Sequence, residues 1–546
     1  MTNQTQLQNK TSLFLEPYSK REHLLTIKEA SIWATSHLRK NVTTSNISYL
    51  IQYGRIRRIE KNGTTFVSIN ELSNYYQTYN GSRELNFKEK FGDDLNWALS
   101  FDKYKEAETT KHVHRLHPYK GKFIPQLVEY FLDNHTDKFK KDVYFKAGDI
   151  ILDPFSGSGT TMTQASELGI NAIGIDISAF NALISNCKIT DYNIPKLEFE
   201  ILKITNLLME FVEKSNIVEF EESLLHKLNE FNNVYFPVPE YKYKLRKKEI
   251  NEDTYAYEKE KIFLPIFKKL VKKYDVVLQE KKCNNFLDKW YSKHIRSEID
   301  FVYSIIKKIN DENIKNILYI ILSRTIRSCR STTHADLATL LEPVTTTYYC
   351  SKHGKICKPL FSILKWWKTY SKDTISRLLI YSKLRKNSYQ LCLIGDSKTI
   401  DINKEIKRIM PKYYEILKKN KINGIFSSPP YVGLIDYHEQ HAYAYDLFEF
   451  QRNDDLEIGP LFRGQGKAAK ESYTEGIAAV LNNCKKYLIE DYNIFLVAND
   501  KYNLYPAIAE NSGMTIVNTF KRPVLNRTER DKTVYSETIF HLKEKG

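Results

Sequence analysis

The run Asp153-Pro154-Phe155-Ser156-Gly157-Ser158-Gly159-Thr160-Thr161 follows the apolar stretch Ile150-Ile151-Leu152 and leads into a helical pattern through Met162, Ala165 and Leu168. A strand that turns through glycines into a helix makes a ligand-binding edge. Small residues let a ligand approach the backbone, and the free N–H groups of the helix start bind a carboxylate, as the helix dipole favours. About twenty residues on, the apolar stretch 172–175 ends in Asp176 and Ile177, and an acid at such a strand tip can accept both hydroxyls of a ribose. A third apolar stretch, 391–394, ends in Gly395-Asp396, which taken alone reads as readily as a helix cap. A fourth, Gly424-Ile425-Phe426-Ser427, runs into Ser428-Pro429-Pro430-Tyr431. Pro-Pro holds that backbone rigid and extended, so the Ser428 hydroxyl and the Pro429 carbonyl can accept hydrogen bonds from a planar amine. Tyr431 offers a ring on which a base can stack.

Together, DPFSGSGTT and SPPY resemble the cofactor loop and catalytic tetrapeptide of the amino-methylating DNA methyltransferases found in restriction-modification systems, and the resemblance covers about residues 111–190 and 391–546. It implies S-adenosylmethionine as cofactor. The loop residues Asp153, Phe155, Ser156, Gly157, Ser158, Gly159, Thr160 and Thr161 would surround its methionine end, Asp176 and Ile177 its ribose, and Asp396 its adenine amino group. His117-Pro118-Tyr119-Lys120-Gly121-Lys122-Phe123-Ile124-Pro125 resembles the segment beside the cofactor in these enzymes, which implies that Lys122 and Phe123 flank the methionine. Ser428, Pro429, Pro430 and Tyr431 would be catalytic, acting on a base flipped from the duplex, because its amino group is unreachable in the stack. An aspartate in place of Ser428 is typical of adenine enzymes, while serine resembles the N4-cytosine group. N4-methylcytosine is therefore the expected product, ahead of N6-methyladenine and, further behind, a tRNA guanine-amino product. Methylation at cytosine C5 needs a nucleophilic cysteine, usually presented after a proline, and none of the seven cysteines follows one.

Several elements must position these residues. The expected fold class is α/β, a Rossmann-like class I methyltransferase sheet with a largely helical insertion and an N-terminal winged-helix-like module. Residues 1–23 read as a polar disordered tail, 24–80 as the winged-helix-like module, 100–196 and 391–546 as the two halves of the methyltransferase domain, and 197–390 as a separate helical insertion. Thr26 and Glu29 form a capping box, Thr44 or Ser45 can cap a second helix, residues 55–59 alternate at strand period, and Asn62-Gly63 turns the chain into a return strand at 64–69. In such a module Arg55, Arg57 and Arg58 would meet DNA phosphates. Cofactor motifs that precede the tetrapeptide across a long insertion resemble the α-type arrangement, which assigns target recognition to 197–390. Arg324, Arg327 and Arg330 there, and Arg522 and Arg527 in the basic linker near the C-terminus, are further candidates for DNA contact.

Lysine and arginine exceed aspartate and glutamate by 16, which suits a polyanionic partner, here duplex DNA. The same excess, beside many Asn, Ile and Tyr, also follows from an AT-rich coding sequence, so charge alone decides nothing. No run of about 18 apolar residues exists to cross a membrane, and nothing at the N-terminus directs export, so a cytoplasmic protein with reduced thiols is expected. Cys350, His353 and Cys357, with Cys329 or His334 nearby, have the chemistry of zinc ligands; their spacing matches no common knuckle, and buried thiols without a metal are expected. No Pro-Asp dipeptide occurs to start the usual nuclease signature, so a cognate restriction endonuclease would be a separate chain.

Overall fold

The computed structural model describes residues 23–38, 41–80, 90, 92, 95–101, 103–279, 285–334, 340, 342–525 and 535–545. It divides into two compact units, one of Met1–Glu84, Leu225–Pro265 and Tyr349–Cys357, the other of Leu85–Leu224, Ile266–Tyr348 and Lys358–Gly546.

In the smaller unit, strand β1 (Leu24–Thr26) leads into the helices Ile27–Leu38 and Thr44–Gln52, then β2 (Ile59–Lys61), β3 (Thr64–Ser68) and the helix Ile69–Asn80. β3 pairs antiparallel with both β1 and β2. The Thr26–Glu29 box forms as read: the Thr26 amide donates to Glu29 Oε2 at 2.9 Å and the Glu29 amide to Thr26 Oγ1 at 3.3 Å. The second helix is capped one residue earlier than expected, by Thr43, which exchanges hydrogen bonds with Asn46. Residues 55–56 form a bend and residues 57–58 no regular structure, so the strand begins only at Ile59. Gly54, at φ +65°, packs so closely on the 242–243 backbone that a Cβ would lie 2.8 Å from the Lys242 carbonyl carbon, and the chain must turn there before β2 begins. Ala30, Ala34, Ile47, Leu50, Val67 and Leu72 close the core of this part. The short hairpin β6 (Tyr348–Cys350) and β7 (Lys355–Cys357) was not anticipated.

The larger unit is built on seven strands: β4 (Ile150–Asp153), β5 (Asn171–Asp176), β8 (Gln390–Ile394), β9 (Ile422–Ser427), β10 (Leu488–Ala498), β11 (Met514–Val524) and β12 (Tyr535–Glu544), in the order β11-β12-β10-β9-β4-β5-β8. The five from β10 to β8 are parallel, and β12 and β11 add an antiparallel edge. This is the expected Rossmann-like α/β sheet. The chain runs outward from β4 through β5 to β8, then returns to β9 on the other side of β4. That reversal opens a crevice at the carboxyl ends of the strands, where such sheets bind ligands. Gly424 permits the tight seam on this side, since a Cβ there would lie 2.0 Å from the Asn493 carbonyl oxygen.

Residues 197–390 do not form a unit of their own. Residues 225–265 and 349–357 belong with the N-terminal elements. The helices Ile194–Glu213, Lys293–Lys307, Glu312–Ser328 and Leu364–Ser382 instead share one core with the helix Ala179–Ile189 behind β5, through Phe180, Ile184, Leu197, Ile204, Ile299, Val302, Ile321 and Trp367. Apolar positions at helical spacing read the same in a separate bundle and in helices laid on a sheet.

Candidate functional site

All four sequence stretches deliver their chemistry to one edge. A cavity at the carboxyl ends of β4, β5, β8 and β9 is lined by Phe155, Ser156, Gly157, Ser158 and Thr160, by Asp176 and Ile177, by Asp396, by Lys122 and Phe123, and by Ser428 and Pro430. Asp176 holds the floor: Oδ2 accepts from the Gly157 amide at 2.7 Å, and Oδ1 from the Ser178 amide at 2.9 Å and the Asn181 amide group at 3.1 Å. Ser158 Oγ and Asn181 Oδ1 are buried without a protein partner. Polar atoms of that kind are otherwise costly and fit a ligand that satisfies them.

Three loop residues expected around the cofactor do not line the cavity. Asp153 is buried, and its Oδ1 accepts from the Ser427 hydroxyl at 2.5 Å, so it ties the end of β4 to the residue before Ser428. Thr161 donates to the Phe426 carbonyl at 3.4 Å across the same seam. Gly159 begins the helix Thr160–Leu168 at φ +70°, where a Cβ would meet Ser185 at 2.8 Å. These residues position the loop against β9 rather than touch what the cavity holds.

Of the tetrapeptide, Ser428 and Pro430 line the cavity; Pro429 does not, and Tyr431 turns aside. The Tyr431 hydroxyl donates to Glu537 Oε1 at 2.9 Å, and Arg522 Nη1 reaches Glu537 Oε2 at 3.3 Å. An aromatic wall closes one side of the cavity. Tyr119 and Tyr437 stack with ring centroids 5.9 Å apart, and both face the cavity. His438, Glu457, Leu456 and Ile458 complete that side, with the His438 imidazole bonded to Glu457. His441 is buried, and burial, with Arg327 and Arg330 nearby, pushes it down to about 3, so it is a neutral packing group.

Burial dominates the electrostatics here. It raises both Asp153 and Asp176 to about 6 against their hydrogen bonds, and lowers Lys122, whose ammonium donates to the His114 carbonyl at 2.6 Å, to about 8. A carboxyl raised in the folded state adds stability that is fully present below its unfolded value and is lost as the pH climbs through the folded one. Asp153→Asn keeps the acceptor for Ser427 and removes that ionisation. Its denaturation free energy should exceed that of the parent at pH 7, by an amount on the order of 2 kcal/mol, and the gap should close towards pH 4. A pH-independent difference, or a parent more stable at pH 7, would show that Asp153 does not ionise at that cost.

The arginines proposed for DNA contact divide. In the smaller unit Arg57 and Arg58 are exposed and Arg55 is half-buried; Arg58 pairs with Glu60, and the Arg57 guanidinium lies 5.9 Å from the Tyr243 ring. In the larger unit Arg324 and Arg330 are buried: Arg324 pairs with Asp373 at 2.6 Å, and Arg330 lies over the Tyr443 ring. Arg327 is half-buried, and Arg522 is buried on Glu537. Arg324, Arg330 and Arg522 are thus packed into the fold, not displayed to a phosphate backbone, because the apolar and acidic groups around them claim their guanidinium faces. Arg527 lies outside the described residues.

Comparison with known proteins adds independent information. A family model described as a DNA methylase, of the N6/N4 type, matches residues 12–186. Over 538 residues the chain is 50% identical to the type II methyltransferase M.MjaII of Methanocaldococcus jannaschii, a span of 97% of this chain and 98% of that one. Shorter stretches are similar to the type II methyltransferases M.BsoBI of Geobacillus stearothermophilus (33% identity over 136 residues, 24% of this chain and 25% of that one) and M.MvaI of Kocuria varians (26% over 151 residues, 26% and 32%). No solved structure matches. Among the described residues no helix is long and apolar enough to cross a membrane.

Proposed function

Because this chain belongs to the amino-methylating N6/N4 family of type II DNA methyltransferases, we propose that it moves a methyl group from S-adenosylmethionine to the exocyclic N4 of cytosine at a specific site in duplex DNA. The observation that carries the reading is the convergence of Ser428 and Pro430 with the glycine loop, Asp176 and Asp396 in one cavity. S-adenosylmethionine is the donor generally used in this family, and the donor set fits it. The loop amides and the start of the helix Thr160–Leu168 suit its carboxylate, Asp176 its ribose and Asp396 its adenine amine, while Ser158 and Asn181 offer unpaired polar atoms. When bound, it supplies an electrophilic methyl group.

The chain's own part is to orient the amine. The nitrogen lone pair of a base amine is delocalised into the ring, and hydrogen bonds accepted by Ser428 Oγ and the Pro429 carbonyl turn that nitrogen towards the methyl group. A neutral hydroxyl accepts more weakly than a carboxylate, so Ser428 aligns the amine rather than acting as a strong base, and the proton leaves after transfer. No covalent bond to the base forms. The serine at this place favours cytosine N4 over adenine N6. Arg57 and Arg58 are among the exposed cations of the smaller unit that phosphates can reach, the element order of that unit suits a winged helix, and we assign the recognition of sequence to the residues inserted between β5 and β8. A cognate endonuclease would be a separate chain, with both proteins in the cytoplasm.

Nucleosides from duplex DNA methylated in vitro should show N4-methylcytosine by mass spectrometry. N6-methyladenine in its place would overturn the base assignment and leave the enzyme class standing. Ser428→Ala should lower turnover about tenfold, the value of one hydrogen bond, with DNA binding little changed.

A further inference from the structure

The β6–β7 hairpin has no part in the chemistry above. Its strands are three residues each, too short for a hairpin to hold by itself. Between them the chain makes a tight knuckle. The amides of His353 and Gly354 both donate to the Cys350 carbonyl, at 3.0 and 2.6 Å, and Gly354 takes φ +64°. That turn brings His353 back beside Cys357, with Nδ1 3.4 Å from Sγ. The ligand atoms of Cys350, His353 and Cys357 all lie within 4.8 Å of one another, and both thiols are buried. Atoms held tetrahedrally at about 2.0 to 2.3 Å from one zinc ion lie about 3.3 to 3.8 Å apart, so the histidine–cysteine separation is already that of two ligands of one ion.

We propose that this hairpin binds a structural zinc ion through Cys350, His353 and Cys357. Two thiolates and an imidazole form the soft, nitrogen-containing donor set that selects zinc. Tetrahedral zinc takes a fourth ligand, which comes from outside the hairpin. Cys329 is not that ligand, because it is packed in the apolar core of the larger unit. The frame around the site is built: Asn232 brackets Ile356 with two hydrogen bonds, to its carbonyl at 2.9 Å and from its amide at 3.0 Å, and Glu260 accepts from the Tyr349 amide at 2.7 Å. The ion would therefore pin β6 to β7, on a hairpin that the Asn232 and Glu260 hydrogen bonds already hold within the smaller unit. Spacing alone argued against a knuckle because Cys-x2-His-Gly-x2-Cys is compact only when glycine takes the left-handed conformation.

The test is metal analysis of the full chain, purified without an affinity tag or chelator. About one zinc per chain is expected, with Cys350 and Cys357 unreactive to a thiol reagent until a chelator removes the ion. Exchange for cobalt should give a thiolate-to-cobalt charge-transfer band and the strong visible bands of a tetrahedral ion. Cys357→Ser should lose the metal. Should that variant fail to fold, His353→Cys provides the second reading, since it should keep the metal and strengthen the charge-transfer band. No stoichiometric metal, iron in place of zinc, a Cys350–Cys357 disulfide, or bound cobalt without charge transfer would each overturn the proposal.

Discussion

Gly157→Val is expected to abolish binding of S-adenosylmethionine while the protein still folds. At φ +51° an L-residue is strained, by about 1 to 2 kcal/mol and more for a β-branched one. The new Cβ would also meet the Tyr119 hydroxyl at 3.0 Å and its ring carbons at 3.1 and 3.2 Å. Tyr119 cannot move aside, because it is wedged between Tyr437 and His441, each with ring centroids 5.9 Å away. The loop must shift instead, which breaks the hydrogen bond from the Gly157 amide to Asp176 and misaligns the donors behind it. A loss of at least about hundredfold in affinity, near 2.7 kcal/mol, should appear in calorimetry, and a smaller loss for Ser158→Ala, which removes one hydrogen bond. Undiminished affinity in Gly157→Val would move the cofactor away from this cavity.

Glu537→Ala should damage both stability and turnover. The carboxylate is shared by the Tyr431 phenol and the Arg522 guanidinium, whose side chain is 5% exposed beside 14% for Glu537. Removing one partner of a buried pair leaves the other charge uncompensated, at a cost of about 3 to 5 kcal/mol. It also frees the tyrosine of the catalytic tetrapeptide. Burial and Glu537 hold that phenol far above its ordinary range, so it remains a neutral hydrogen-bond donor throughout the working pH. Denaturant titration should show a lowered midpoint, and turnover should fall further than cofactor affinity. Glu537→Gln, which keeps an acceptor for Tyr431, should recover turnover more than stability. Parity of the two variants in turnover would sever Tyr431 from catalysis.

Much of the site was legible because its chemistry needs contiguous residues. A glycine loop between a strand and a helix, and a serine before two prolines, are local features, and each lines the cavity where the parallel strands end. Asp176 and Asp396 were legible as strand-end acids for the same reason. What escaped depends on pairing across the fold. Whether Asp153 faces a ligand or the Ser427 hydroxyl is decided 274 positions away. Arg324 reads as a surface cation until Asp373 stands beside it, and Arg522 until Glu537 does. Nothing local to Tyr437 shows that it stacks on Tyr119 in the cavity wall. The helices of the insertion were read correctly as helices, yet their distribution between two units is set by which neighbour covers each apolar face, and a single chain's pattern does not carry that.

The return of the chain to β9 after its long excursion also bears on how the protein is made. β5 ends at Asp176, and its neighbour β8 begins at Gln390, which leaves the ribosome 214 residues later. At about 5 to 20 residues per second that delay is roughly 10 to 40 s. Throughout it, β4 and β5 exist as a nascent two-stranded fragment with both edges unsatisfied and one face of apolar side chains uncovered. Such a fragment recruits holding chaperones or sticks to its like. The helices Ala179–Ile189 and Ile194–Glu213 follow β5 directly and can cover that face early, whereas nothing can cap the β4 edge until Ile422 has been synthesised. Expression at lower temperature, or with chaperones in excess, should therefore raise the soluble yield of the full chain more than it does for a protein of equal size whose strands are paired in the order of their synthesis.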